Sequence, residues 1–292
     1  MEYRGLYTAI ITPFKMDGSF DESVFKKLIE YQIKSGVDGI VVLGTTGESP
    51  TISTQEHNKI ISIAVKLAKG RTKIIAGTGS NCTVEAINHS VHAEKAGADG
   101  LLQVSPYYNK PTQKGLYEHF MAVADSVNIP IILYNIQGRC GVNIETPTLL
   151  RLARHPNIFA VKEASGNLDQ MKEVIESVPS DFTVLSGDDG LCFDLCKLGG
   201  VGVVSVLSNL LPKEMKSLVQ TCEEGNWEEA KVQHEKLSTL FSACFIETNP
   251  QPIKTLMAKE GFCEEVFRLP MTIMERENKD NLLNIWSDFC KD

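Results

Sequence analysis

Lys162 closes the apolar run Ile158-Phe159-Ala160-Val161. A lysine at the end of such a run is partly desolvated, which disfavours its ammonium form and lowers its pKa. A neutral amine attacks ketones and forms Schiff bases. The competing reading is an ordinary salt bridge, with Glu163 as partner. Tyr134 ends the preceding apolar run. Its phenol can pass protons beside an imine, or its ring can simply pack. Thr45 and Thr46 stand between Gly44 and Gly47. Their hydroxyls and the turn's N–H groups suit a carboxylate or a phosphate. The Gly-Lys-Ser/Thr ending of a Walker loop is missing. Arg139, in the loop Gly138-Arg139-Cys140-Gly141, can fork onto a carboxylate or stand on the surface as arginines usually do.

Other reactive groups carry less. His89 and His92 are three apart on a helical stretch, without the glutamate of the zinc-protease pattern, so no metal site is assigned. Asp188-Asp189 reads as an acid/base pair or as the start of a helix. None of the eight cysteines forms Cys-x-x-Cys. Cys192 and Cys196 share a helix face, and most of the eight read as reduced, buried thiols.

These residues need elements to hold them. Eight short apolar runs are visible: 6–11, 40–43, 73–76, 101–104, 130–134, 158–162, 182–185 and 202–206. Most are apolar throughout rather than alternating, as in strands buried on both faces. Amphipathic stretches separate them. Phe25, Leu28, Ile29 and Ile33 share one face, as do Ile60, Ile63, Ala64, Leu67 and Ala68. Ser53 with Glu56 makes a capping box, and Thr146 before Pro147 places proline at the first helical position. Gly36, Gly70 and Gly97 supply stops. Gly36-Val-Asp-Gly39-Ile-Val-Val recurs as Gly97-Ala-Asp-Gly100-Leu-Leu, with an echo at Gly199-Gly-Val-Gly202-Val-Val. Eight such units predict an α/β fold, a (β/α)8 TIM barrel. A doubly wound open sheet ranks second, since no Gly-x-Gly-x-x-Gly follows the first run. Residues 213–224, 226–245, 250–260 and 271–290 read as helices. The expected division is a catalytic barrel over 1–224 and a C-terminal helical region over 225–292, packed on the barrel. In a parallel barrel the site lies at the C-terminal strand ends, where Lys162, Tyr134 and the two threonines all fall.

The 292 residues carry a net charge of −8, with 42% hydrophobic and 23% charged residues. That excludes a disordered chain, a collagen-like fibre and a coiled coil. The acidic balance argues against general nucleic-acid binding. No apolar stretch reaches the ~18–20 residues of a membrane span. The first residues show no cationic region followed by an apolar core. The expectation is a cytoplasmic protein with no membrane or nucleic-acid partner.

Gly44-Thr45-Thr46-Gly47-Glu48, Tyr107-Tyr108-Asn109, Tyr134-Asn135 with Arg139, Val161-Lys162-Glu163-Ala164-Ser165-Gly166 and Asn249-Pro250-x-Pro252-x-Lys254 occur in this order. Together they resemble the dihydrodipicolinate synthase / N-acetylneuraminate lyase family of Schiff-base barrels. The double threonine and the Lys-Glu-Ala-Ser-Gly run are similar to the synthase side of that family. The resemblance implies condensation of pyruvate with L-aspartate 4-semialdehyde, in the route to lysine and diaminopimelate, by a homotetrameric lyase. Lys162 would form the Schiff base with pyruvate, whose carboxylate Thr45 and Thr46 would hold. Tyr134, Thr46 and Tyr108 would form a proton relay, with Tyr108 entering from the neighbouring subunit. Arg139 would bind the semialdehyde carboxylate, and the backbone around Gly187 and Val204 would complete the pocket. This chemistry requires no metal or organic cofactor. Ser49, His57, Asn81, Glu85 and Tyr107 match a lysine-inhibitor site found in many members, whereas Pro50 and Thr54 depart from it. Ile136-Gln137-Gly138 and Cys140 also depart from the common pattern around the arginine. The alternatives are a sister aldolase acting on N-acetylneuraminate or a 2-keto-3-deoxy sugar acid, and a non-catalytic keto-acid-binding barrel.

Overall fold

The computed structural model describes residues 3–291. Eight parallel strands close into a barrel in sequence order. They are β1 (Gly5–Ala9), β2 (Gly39–Val42), β3 (Lys73–Gly77), β4 (Gly100–Val104), β5 (Ile131–Asn135), β6 (Ile158–Glu163), β7 (Thr183–Ser186) and β8 (Gly202–Ser205). Closure comes from β8 pairing with β1, with Gly5 opposite Gly202 and Tyr7 opposite Val204. Each run read from the sequence falls on one of these strands, with ends shifted by a residue or two.

Around the barrel run α1 (Glu22–Lys34), α2 (Thr54–Ala68), α3 (Thr83–Ala96), α4 (Gln113–Ala124), the four-residue α5 (Gln137–Cys140), α6 (Thr146–Leu152), α7 (Leu168–Ser177), α8 (Cys192–Lys197) and α9 (Pro212–Glu223). The capping box at Ser53 and Glu56 is formed. Gly97 caps α3 in the left-handed conformation that its missing Cβ permits. Glu145 caps α6, so Pro147 sits at the second helical position rather than the first.

Strand alternation sorts the side chains. Ala9, Val41, Ile75, Leu102, Ile132, Ala160, Leu185 and Val204 fill the barrel interior together with Tyr7 and Tyr134. Ile40, Ile74, Leu101, Leu133 and Val161 face the helices in the larger core. Successive strand residues point to opposite faces, so Lys162 follows Ala160 inward and Glu163 follows Val161 outward.

Beyond β8 come α10 (Trp227–Ala243), α11 (Gln251–Lys259) and α12 (Arg276–Phe289). The last helix begins five residues later than the sequence suggests. The segment before it has other partners: Arg268 N–H donates to Glu48, the Thr272 carbonyl accepts from Gln251 Nε2, and Glu275 N–H donates to Glu247. Backbone groups bonded in this way cannot also join a helical ladder. Among the described residues no helix is long and apolar enough to cross a membrane.

Candidate active site

Register brings the two central groups together: Tyr134 on β5 pairs with Lys162 on β6. The Lys162 side chain lies inside the barrel mouth, only 5% exposed. Its Nζ rests over the Tyr134 ring, 4.1 Å from the centroid. Burial lowers its pKa to about 7; the Asp189 and Asp188 charges oppose that shift and Arg139 adds to it. Glu163 is engaged elsewhere, accepting from Ser165 N–H at 2.7 Å and from Asn135 Nδ2 at 3.1 Å. The salt-bridge reading of Lys162 therefore fails on strand geometry.

Gly187 shows how tightly the lysine is enclosed. A Cβ there would lie 2.6 Å from the Ala164 Cβ and 3.0 Å from the Lys162 Cε. Any side chain at 187 would displace the amine. Val204 lies on the interior face of β8, in the same cluster as Tyr134.

Burial pushes the Tyr134 phenol up to about 12, while Arg139 and a hydrogen bond with the Thr45 side chain pull the other way. This corrects the sequence assignment of the relay. The hydroxyl beside the Tyr134 phenol belongs to Thr45, whereas the Thr46 hydroxyl accepts from Asn249 Nδ2 at 3.0 Å. The tight turn sends consecutive side chains in different directions, which residue type alone does not reveal. Arg139 is held by the Asn249 carbonyl, which accepts from Nη2 at 3.2 Å. Tyr108 stands at the tip of the loop after β4, 89% exposed and with φ +69°.

A cavity of about 490 Å³ opens beside these groups. Thr45, Tyr134, Arg139 and Cys140 line it, together with Ser49, His57, Glu85 and Tyr107. His57 packs on His89 with ring centroids 4.2 Å apart, and its Nε2 is 2.8 Å from the Gly77 carbonyl. Burial, reinforced by the His89 charge, lowers its pKa to about 4. Glu85 accepts from the Ser80 hydroxyl at 2.9 Å. Asn81 does not line this cavity; its carbonyl accepts from Asn109 Nδ2 at 2.9 Å.

Three groups gain a place that no local pattern assigns. Asp189 is buried, and one carboxylate oxygen accepts from the N–H groups of Val206 and Leu207, both at 2.9 Å. Burial raises its pKa to about 6. Only Asp188 acts as the expected helix cap, accepting from Gly190 N–H at 2.8 Å. Glu48 and Lys254 form an ion pair of 2.6 Å with side chains 1% and 0% exposed. Lys254 also donates to the Thr12 carbonyl at 2.9 Å and faces the Phe14 ring at 4.3 Å. Thr12 in turn donates to the Gly47 carbonyl at 2.7 Å. The turn carrying Thr45 and Thr46 is thus fastened from both chain ends. Glu48 and Lys254 were visible as parts of two motifs, but their pairing spans 206 residues.

The arrangement is that of an eight-stranded parallel α/β barrel with a buried lysine amine, set against a phenol ring, at the C-terminal end of its sixth strand. Comparison with known proteins narrows that class. The sequence model of the Dihydrodipicolinate synthetase family matches residues 2–288, and the chain belongs to that family. It is 53% identical over 288 residues to the 4-hydroxy-tetrahydrodipicolinate synthase of Endomicrobium trichonymphae, covering 98% of each chain. Dihydrodipicolinate synthase of Aquifex aeolicus superposes with a TM-score of 0.97 at 48% identity, covering 98% of each chain. The 4-hydroxy-tetrahydrodipicolinate synthase of Methylacidiphilum fumariolicum SolV gives 0.98 at 45% identity, covering 99% of this chain and 97% of that one.

Proposed function

We propose that this protein is a lyase that condenses pyruvate with L-aspartate 4-semialdehyde to 4-hydroxy-tetrahydrodipicolinate, in lysine and diaminopimelate biosynthesis. The observation that carries the reading is Lys162. It is an inward, enclosed amine with a pKa lowered to about 7, lying against a phenol at the mouth of the barrel. The names of relatives near half identity over nearly the whole chain support the choice of substrates.

In this mechanism the neutral Lys162 amine attacks the pyruvate ketone carbon. Loss of water gives the imine, and loss of a methyl proton gives the enamine. The enamine carbon forms the new C–C bond with the aldehyde carbon, whose oxygen takes up a proton. The semialdehyde's own amine then attacks the imine carbon, closes the ring and expels the Lys162 amine. Tyr134 carries protons between these steps. Thr45, beside the phenol, is its partner in place of Thr46, and Thr46 holds the pyruvate carboxylate. Arg139 binds the semialdehyde carboxylate as a fork. The chemistry calls for no metal or organic cofactor. Tyr108 is exposed at its loop tip, which fits a residue that completes a neighbour's relay in a homotetramer. The proposed location is cytoplasmic.

Borohydride reduction in the presence of pyruvate, followed by intact-mass measurement and peptide mapping, tests the reading. The expected result is a reduced pyruvyl adduct on Lys162, with the unreduced complex discharged by aspartate semialdehyde. An adduct indifferent to the semialdehyde would move the function to a sister aldolase. No adduct would leave a keto-acid-binding barrel. Tyr134→Phe keeps the ring over Lys162 and removes the proton carrier, so turnover should fall by about 10²-fold with little change in the pyruvate KM. Steady-state rates check this, and parent-like turnover would remove Tyr134 from the relay.

Ser49, His57, Glu85 and Tyr107 line the same cavity as Tyr134 and Arg139. We extend the proposal to feedback inhibition by lysine at these four residues together with Asn81. Millimolar lysine should slow turnover, and an unchanged rate would remove this part of the proposal.

A further inference from the structure

Asn249 touches both halves of the site from a part of the chain outside the barrel. It precedes α11 and is buried. Its Nδ2 donates to the Thr46 hydroxyl at 3.0 Å, while its backbone carbonyl accepts from Arg139 Nη2 at 3.2 Å. Five residues on, Lys254 grips Glu48 at 2.6 Å, at the other end of the same turn.

The direction of the first bond matters. A hydroxyl oxygen that accepts from an amide N–H has its own proton left to give. Asn249 thus leaves the Thr46 hydroxyl as a donor, the form that a carboxylate requires. Through its carbonyl, the same residue fixes the guanidinium relative to that donor. We infer that Asn249 is a positioning residue that orients the Thr46 hydroxyl toward the keto-acid carboxylate and sets the spacing between that point and Arg139. The inference rests on the proposed reading of Lys162, Thr46 and Arg139.

The test compares Asn249→Ala with the near-isosteric Asn249→Asp, using pyruvate and aspartate semialdehyde as probes. The alanine leaves Thr46 free to turn. The aspartate accepts the Thr46 proton and places a negative charge beside the bound carboxylate. Both variants should still give the reduced pyruvyl adduct at saturating pyruvate. The pyruvate KM should rise about tenfold for Asn249→Ala and about a hundredfold for Asn249→Asp. The semialdehyde KM should rise in both, with kcat changed less.

A merely structural asparagine would tolerate the near-isosteric change better than the truncation, so equal values, or the opposite order, would overturn the inference. Should Asn249→Asp fail to fold, Thr46→Val removes the same bond from the other side. The double variant Thr46→Val with Asn249→Ala should then bind pyruvate no worse than Thr46→Val alone, and additive losses would overturn the inference. Absence of the adduct in the parent protein would instead count against the proposed reaction and not against the role of Asn249.

Discussion

Lys162→Ala should form no reduced pyruvyl adduct and should lose at least ~10⁴-fold in turnover, because the proposed mechanism has no other covalent entry. In the parent protein the same amine sets the pH profile of adduct formation. At a pKa of about 7 roughly half of it is neutral at pH 7, against roughly four parts in ten thousand for an ordinary lysine. The sign follows from the nucleophile being the deprotonated form. Adduct formation should fall about tenfold per pH unit below 7 and level off above it. Borohydride trapping rates across pH 5.5–9 measure this. A roughly tenfold rise per unit continuing up to pH 9 would mean that burial does not activate the lysine, and an adduct surviving in Lys162→Ala would place the nucleophile elsewhere.

Lys254→Met should destabilise the fold by about 3–5 kcal/mol, since it strips the counter-charge from a carboxylate held out of water. The Glu48 side chain is 1% exposed, and among the described residues its carboxylate's other hydrogen bond comes from the Arg268 N–H at 3.3 Å. Its backbone is also in the left-handed region, at φ +53°, where a non-glycine residue stays only if its surroundings hold it. The same substitution should raise the pyruvate KM, because Glu48 ends the turn that carries Thr45 and Thr46. Adding Glu48→Gln to Lys254→Met removes the stranded charge and should recover part of the stability. Urea unfolding of the parent, both single variants and the double variant gives the coupling. A loss below ~1 kcal/mol in Lys254→Met would mean that water reaches the pair.

Much of the barrel was legible because its signals are local. The run ending in Lys162 is apolar on both faces, as a strand in a covered parallel sheet requires. Lys162 and Tyr134 could be found because each ends such a run, and the barrel gathers strand ends on one side. The partition between Lys162 and Glu163 was also latent in the alternation of strand side chains. What could not be read depends on contacts across the chain. The Thr45 and Thr46 hydroxyls differ only in what faces each, the Tyr134 phenol for one and Asn249 for the other. Asp188 and Asp189 look alike in sequence, yet one caps a turn and the other is buried against the backbone of Val206 and Leu207. The late start of α12 has the same origin, since distant side chains occupy the backbone groups before it.

The Glu48–Lys254 grip also fixes an order of events during synthesis. Its partners leave the ribosome 206 residues apart, which is ~10–40 s at typical elongation rates. All eight strands have been made well before Asn249 and Lys254 emerge. Between the end of β8 and Lys254 a nascent chain already contains Lys162 but lacks the C-terminal residues that fasten the turn. The Thr45–Thr46 turn is therefore among the last parts of this chain to gain its full set of contacts.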